Sequence, residues 1–213
     1  RAVKNTKDTQ FEIASATKPF TAVAILQLEV AGKLAVGDPI HRHLPGVPEA
    51  VHDITIEHLL THQSGMTRMA AGGHGDDLAR AVAGYFAAPR TRAPGEKHEY
   101  WNGGYALLAG IVERTSGGSY TEWIAQHIFA PAGMTSSGFT GDALGEAVAV
   151  GYEGDAEPRR ADEHPYGSYG WHYRGMGGQA LLGKVAPWLL RDINDADRNR
   201  YMEAAHRYGN MSM

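Results

Sequence analysis

A serine and a lysine lie three residues apart in the segment FEIASATKPFTAVAILQLEVAG, at Ser15 and Lys18. Side chains at this spacing share one face of a helix, so the hydroxyl and the amine can come within hydrogen-bonding distance. A free hydroxyl is a poor nucleophile without a base beside it, and a lysine serves as that base when desolvation lowers its pKa. The apolar residues after Lys18 and the positive helix N-terminus suit acyl transfer. The alternative is that Ser15 caps the helix and that Lys18 is solvated.

A second candidate is the triplet Tyr100-Trp101-Asn102, which precedes two glycines at the predicted start of a helix. A tyrosine can relay a proton when a nearby cation stabilises its phenolate. An asparagine can donate hydrogen bonds to a substrate amide and accept them from a lysine. The alternative is that Tyr100 and Trp101 pack as core aromatics while Asn102 caps the helix.

The elements that would position these residues are mostly helices. A short strand is predicted over 9–14 and a helix over 16–31, with Pro19 in its first turn and Gly32 at its end. Thr55 is predicted to cap a short helix that reaches His62. Further helices are predicted over 76–87, 103–116, 119–130, 178–191 and 195–207. A strand is predicted over 146–152. The segment 33–54 is predicted to be an irregular surface chain, and 153–177 is predicted to be a loop.

The composition is that of a globular domain and excludes several kinds of function. The 213 residues are 43% hydrophobic and carry a net charge of −4, so no nucleic-acid surface is expected. The chain has no cysteine, which excludes disulfides, thiolate metal sites and a cysteine nucleophile. No apolar run approaches the roughly 18 residues of a membrane span. No targeting segment is recognised in the chain, so the sequence does not distinguish an exported from a cytoplasmic protein.

Taken in order, these motifs resemble the serine β-lactamase and penicillin-binding protein superfamily, and most of all its class C branch of β-lactamase-related esterases and D-aminopeptidases. The resemblance rests on FEIASATKPFTAVAILQLEVAGKLAVGDPI, ITIEHLLTHQSGM, EYWNGGYALLAGIVERTSGGSYTEWIAQHIFAPAGM and AVGYEG. It covers residues 9–152 well and the remainder poorly. The run LLTHQSGM is a family hallmark, although its residues suggest no chemistry of their own.

The resemblance implies a role for each matching residue. Ser15 would be the acylated nucleophile, Lys18 its base partner, and Tyr100 the proton relay in both acylation and deacylation. Asn102 would orient Lys18 and the substrate, and the Ser15 backbone N–H would form half of the oxyanion hole. This chemistry requires neither a metal nor a cofactor. Two further residues, Trp101 and Gly177, are candidates for substrate binding.

The same resemblance implies an α+β fold of the β-lactamase/transpeptidase type, in which a helical cluster packs on a mixed antiparallel sheet. Only 14 residues precede Ser15, and Gly175–Gly178 precedes a predicted helix rather than the strand of the family's third motif. We therefore expect one domain over 1–213, incomplete at both ends and lacking much of the sheet. An apolar helix face left uncovered would favour self-association, so a homo-oligomer is a further expectation.

The sequence thus predicts a serine hydrolase that acts through a covalent acyl-enzyme on a small ester, a β-lactam or a D-amino-acid amide. Esters are favoured because the chain has no Lys-Thr-Gly, the triplet that suits β-lactam and D-alanyl carboxylates. The alternative is a non-catalytic interaction protein or an inactive fragment of the same fold. A zinc site is a third hypothesis, because His58 and His62 have i,i+4 spacing, but no further ligand is marked and no metal is expected.

Overall fold

The computed structural model describes residues 6, 9–67, 78–139, 152–153, 159–160 and 180–182. Helices dominate this part of the chain, as the sequence predicts. They are α1 (Lys18–Val30), α2 (Ile56–Leu60), α3 (Leu78–Tyr85), α4 (Asn102–Ser116) and α5 (Tyr120–Ile124). Short 3₁₀ turns occupy Ala14–Thr17, Ile40–Arg42 and Glu49–Val51, and a π-helical turn continues α5 over Ala125–Phe129.

Local capping interactions explain where α2 and α5 begin. Thr55 accepts a hydrogen bond from the His58 backbone N–H, and the His58 ring accepts one from the Thr55 N–H. Ser119 and Glu122 form the same reciprocal arrangement before α5. Such pairs satisfy backbone N–H groups that have no partner inside the helix, so the predicted caps at Thr55 and Ser119 are confirmed.

The helix α4 lies at the centre of the hydrophobic core. It contacts α1, α2, α3 and α5, and its residues from Gly103 to Val112 are buried. Because every side of this stretch is covered by another helix, its sequence GGYALLAGIV is apolar throughout rather than amphipathic. The starting points of α1 and α4 are therefore fixed relative to each other by packing.

The segment 33–54 differs from its prediction as an irregular surface chain. It contributes buried apolar side chains to the core and forms two of the 3₁₀ turns. Its proline and glycine content correctly indicated the absence of long helices. Its apolar residues are widely spaced and form no helical or strand pattern, so their burial was not predicted. These core residues are Leu34, Ile40, Leu44, Val51 and Ile54.

A three-stranded antiparallel sheet joins distant parts of the chain. Its order is β1 (Phe11–Glu12), β5 (Ala180–Leu182) and β2 (Ser137–Phe139), with Phe11 and Ser137 both paired with Leu182. At residues 180–182 the strand β5 corrects the predicted helix over 178–191, because a short apolar run is compatible with either state and long-range pairing decided it. The rest of that range lies outside the described residues. The presence of β5 also means that Gly175–Gly178 precedes a strand rather than a helix.

A second correction concerns the predicted loop over 153–177. The strand β4 (Arg159–Arg160) lies within it and pairs antiparallel with β3 (Tyr152–Glu153), which begins at the last residue of the predicted strand over 146–152. The predicted helix over 195–207 and most of the predicted strand over 146–152 lie outside the described residues. None of the helices that the structure describes has the length and apolar content needed to cross a bilayer.

Candidate active site

A 3₁₀ turn places Ser15 directly beside Lys18. The turn spans Ala14–Thr17 and runs straight into α1, whose first residue is Lys18. Side chains three residues apart eclipse one another in 3₁₀ geometry, more closely than in an α-helix. The Lys18 Nζ accordingly donates a hydrogen bond to the Ser15 Oγ over 3.1 Å.

The phenol of Tyr100 completes a triangle with these two groups. Its Oη lies 2.7 Å from the Ser15 Oγ, across 85 residues of sequence. The Lys18 Nζ also donates a short hydrogen bond to the Tyr100 Oη. Tyr100 lies two residues before α4, so the packing of α4 on α1 holds the three polar atoms together. The predicted meeting of Ser15, Lys18 and Tyr100 is therefore present in the geometry.

The environment of the triangle is partly closed. Lys18 is only 7% exposed, whereas Ser15 is exposed and Tyr100 is half-buried. Within the described residues no carboxylate forms an ion pair with Lys18, so the two hydroxyl oxygens compensate for its burial. The Nζ also lies 4.7 Å from the ring centre of Tyr100 and 5.6 Å from that of Tyr105. Burial raises the pKa of Tyr105, which keeps that phenol neutral.

The three predicted substrate-binding residues have different outcomes. Asn102 is the exposed first residue of α4, and within the described chain the hydrogen bonds of the Lys18 amine go to Ser15 and Tyr100 rather than to Asn102. Trp101 is 2% exposed and packs edge-on against Tyr85 and Phe86. This burial favours the alternative interpretation of Trp101 as a core aromatic, and a contact between its side chain and substrate stays a prediction. Gly177 lies outside the described residues.

His62, which the sequence suggested only as a zinc ligand, lies beside Tyr100 instead. Its ring is buried against the Tyr100 ring, with centres 4.6 Å apart, and its Nδ1 accepts a hydrogen bond from the Trp101 N–H over 3.1 Å. Burial, and then the nearby charge of Lys18, lower the pKa of His62 to about 4. The ring is therefore neutral at pH 7. The available signal was its place in LLTHQSGM, which suggested no chemistry.

The histidines considered for zinc have structural partners instead. The Nδ1 of His58 accepts the Thr55 backbone N–H in the α2 cap, and the Nδ1 of His62 accepts the Trp101 N–H. Among the residues that the structure describes, no group of three or more metal-ligating side chains is close enough to hold an ion. The arrangement of Ser15, Lys18 and Tyr100 has the components of nucleophilic chemistry: a hydroxyl, an amine and a phenol within hydrogen-bonding reach.

Comparisons with known proteins give matches over most of the chain. The family model described as Beta-lactamase matches residues 1–211. The chain is 39% identical over 140 residues to the putative penicillin-binding protein PbpX of Bacillus subtilis (strain 168), covering 64% of this chain and 34% of the relative. It is 33% identical over 176 residues to esterase EstB of Burkholderia gladioli, covering 72% and 44%.

A solved structure is similar as well. The crystal structure of a penicillin-binding protein from Bacillus halodurans superimposes with a TM-score of 0.70 at 30% identity, covering 89% of this chain and 60% of that one. This likeness places the observed helices and short sheet in the β-lactamase/transpeptidase fold. The chain spans less than half the length of the two curated relatives, so it corresponds to part of that fold.

Proposed function

The chain belongs to the Beta-lactamase family, and from that premise we propose that it is a serine hydrolase that forms an acyl-enzyme on Ser15. The observation that carries the proposal is the triangle of the Ser15 Oγ, the Lys18 Nζ and the Tyr100 Oη, in which Ser15 has a hydrogen-bonding partner at 2.7 Å and another at 3.1 Å. A nucleophile within hydrogen-bonding reach of a base, itself oriented by a third group, is the signature of covalent catalysis.

The proposed reaction has two halves. In the first, the Ser15 Oγ bonds to the substrate carbonyl carbon while its proton passes to the Tyr100–Lys18 pair, and that proton then leaves with the alcohol or amine as its bond to the carbonyl breaks. In the second, a water molecule attacks the acyl carbonyl and gives its proton to the same pair. The bond between the Ser15 Oγ and the carbonyl carbon then breaks, the pair returns this proton to the Oγ, and the acid is released. The Ser15 backbone N–H, in the first turn of a helical segment, is the proposed donor to the developing oxyanion.

For the substrate we propose a small ester in preference to a β-lactam or a D-amino-acid amide. The similarity to esterase EstB supports this preference, as does the absence of Lys-Thr-Gly from the sequence. The exposed Ser15 Oγ beside a buried amine suits a small acyl group whose carbonyl approaches from solvent. Asn102, exposed at the start of α4, is the proposed contact for the substrate. We also propose that the chain belongs to the class C-like branch of the family.

A fluorophosphonate probe tests the nucleophile. We expect the chain to be labelled on Ser15 and labelling to disappear in Ser15→Ala, with Ser136→Ala as the matched control that keeps it. Tyr100→Phe keeps the ring but removes the proton relay, and should slow labelling by about 10²–10⁴-fold.

Hydrolysis rates with three substrates test the substrate class. They are p-nitrophenyl butyrate, nitrocefin and a D-alanine anilide, and we expect the ester to react fastest.

The alternative is an inactive fragment or a non-catalytic interaction protein of the same fold. It predicts that a folded wild-type chain, with the circular dichroism of a helical protein, shows neither labelling nor ester turnover. Labelling that persists in Ser15→Ala would also contradict the proposal, because the reactive group would then lie elsewhere.

A further inference from the structure

We propose that His62 is a positioning residue that holds Tyr100 in place by binding the chain on both sides of it. The His62 carbonyl oxygen accepts a hydrogen bond from the Glu99 N–H over 2.8 Å. The His62 Nδ1 accepts one from the Trp101 N–H over 3.1 Å. The two residues that flank Tyr100 are thus bound by one histidine, which fixes the direction in which the phenol points.

The ring of His62 also packs against the ring of Tyr100. It is 3% exposed and lies 4.6 Å from the Tyr100 ring centre and 5.1 Å from that of Tyr105. A backbone N–H can only donate, so Nδ1 is the acceptor and the proton of the neutral imidazole is on Nε2. That Nε2 is buried without a hydrogen-bonding partner in the described part of the chain. The Nδ1 of the ring therefore serves as a hydrogen-bond acceptor and its faces serve in packing, while its Nε2–H stays unsatisfied.

The backbone of His62 is adapted to this double contact. Its φ of 56° lies in the left-handed region, which turns the side chain and the carbonyl group of one residue toward the same neighbouring segment. The residues after it continue the contact: the Gln63 carbonyl accepts the Gly95 N–H over 2.8 Å, and the Gly65 carbonyl accepts the Thr91 N–H over 2.9 Å. The segment THQSG, which suggested no chemistry, thus forms the support for residues 91–101.

The consequence for catalysis rests on the proposed function. The Tyr100 Oη lies 2.7 Å from the Ser15 Oγ, and a hydrogen bond of that length is lost if the phenol moves by about 1 Å. His62 does not touch the reacting atoms, so it acts through Tyr100. Burial, and after it the Lys18 charge, lower the pKa of His62, which keeps the Nδ1 acceptor unprotonated at neutral pH.

Two variants separate the hydrogen bond from the packing. His62→Phe keeps a ring but removes the acceptor, whereas His62→Asn places an amide oxygen near the position of Nδ1 and tolerates a left-handed backbone. We expect fluorophosphonate labelling of Ser15 to slow by about 10²-fold in His62→Phe, as for a catalytic group displaced by about 1 Å, and by less than about tenfold in His62→Asn. Labelling of His62→Phe at the wild-type rate would overturn the proposal.

A nuclear magnetic resonance measurement gives a readout that needs no turnover. Nitrogen spectra of the wild type should show a neutral His62 protonated on Nε2, with Nδ1 unprotonated. The Trp101 amide should exchange with solvent at least about tenfold faster in His62→Phe than in the wild type or His62→Asn, while amides inside α4 keep their protection. Equal exchange of the Trp101 amide in the three proteins would contradict the proposal that His62 positions Tyr100. If the wild type is not labelled but the Trp101 amide exchanges faster only in His62→Phe, the proposed function is contradicted while the positioning role of His62 is supported.

Discussion

At the residue scale, the site stabilises a buried cation with hydroxyl groups rather than carboxylates. The Lys18 amine donates to the Ser15 and Tyr100 oxygens, and within the described residues no acidic side chain pairs with it. A carboxylate in contact would hold the lysine in its charged form. The amine instead donates hydrogen bonds to the two oxygens that the proposed reaction uses.

The buried His62 makes a specific contribution to stability against pH. Its pKa of about 4 in the folded chain lies below the ordinary value of 6.5, so the unfolded chain binds more protons between these values. We therefore expect the free energy of unfolding to fall as pH decreases from about 6.5 to about 4, by up to about 3 kcal/mol from this residue. Urea titrations of the wild type and His62→Asn at pH 7 and pH 4 measure it.

The groups around His62 define the control for that experiment. Lys18, His98 and the phenols of Tyr100 and Tyr105 face its ring, and they are present in both proteins. Other titrating groups with a shifted pKa, such as Asp38 and His58, are also common to both. The difference between the two pH dependences is thus assigned to His62. Parallel dependences would show that its ring is not neutralised by folding.

The sequence predicted these residues to different degrees. The proximity of Ser15 and Lys18 follows from helical spacing alone. The approach of Tyr100 does not, because 85 residues separate it from Ser15, and only the family resemblance indicated it. The contribution of His62 depends on its backbone conformation and on the docking of Glu99 and Trp101, which are tertiary features without a local signature.

At the scale of elements, the segment 62–65 orders the chain that leads into α4. Gly65 has a φ of 76°, and a Cβ on it would overlap with the Arg92 carbonyl oxygen. Gly32 has a similar φ of 68° but has nothing within 4 Å of such a Cβ. The two glycines therefore share a backbone preference and differ in the space around them.

This difference gives a prediction with a matched control. Gly32→Ala should cost about 1 kcal/mol, the penalty for a left-handed non-glycine residue, and should leave Ser15 labelling unchanged. Gly65→Ala should destabilise the chain by more than that and slow labelling, because the segment containing Arg92 must move. Chemical denaturation and probe labelling measure both effects. Equal behaviour of the two variants would mean that the 62–65 contact does not position Tyr100.

Elements with local signals were predicted well, and elements without them were not. The caps at Thr55 and Ser119 are short sequence patterns with direct hydrogen-bonding consequences, and they fixed the starts of α2 and α5. The strand β5 is bounded by no such pattern. Its partners are residues near 11 and near 138, so only long-range pairing distinguishes Ala180–Leu182 from a helix.

At the scale of the whole molecule, stability depends on α4. Leu107 is fully buried within the core that this helix forms, whereas Arg114 is exposed on the same helix. We expect Leu107→Ala to cost about 2–5 kcal/mol, through lost apolar contact and a residual cavity. Arg114→Ala should change stability by less than about 0.5 kcal/mol. Urea unfolding followed by circular dichroism compares them, and a Leu107→Ala loss below 1 kcal/mol would contradict the central position of α4.

The family and the α+β class were predictable from motif order, and the extent of the sheet was not. Residues at the two ends of the described chain supply β1 and β5, and their pairing closes a loop of about 170 residues. Composition and periodicity carry no information on contacts over such a distance. The helical half was more predictable because some of its signals are local, such as the side-chain caps of α2 and α5.

One consequence of the architecture concerns how such a protein can diversify. Ser15 and Tyr100 each lie just before a core helix, and those helices, α1 and α4, pack against each other. The proposed reactivity is thereby tied to two buried, mutually packed helices. If the proposed function holds, a laboratory selection for a new acyl preference should keep α1 and α4 constant and randomise the surface segments outside them.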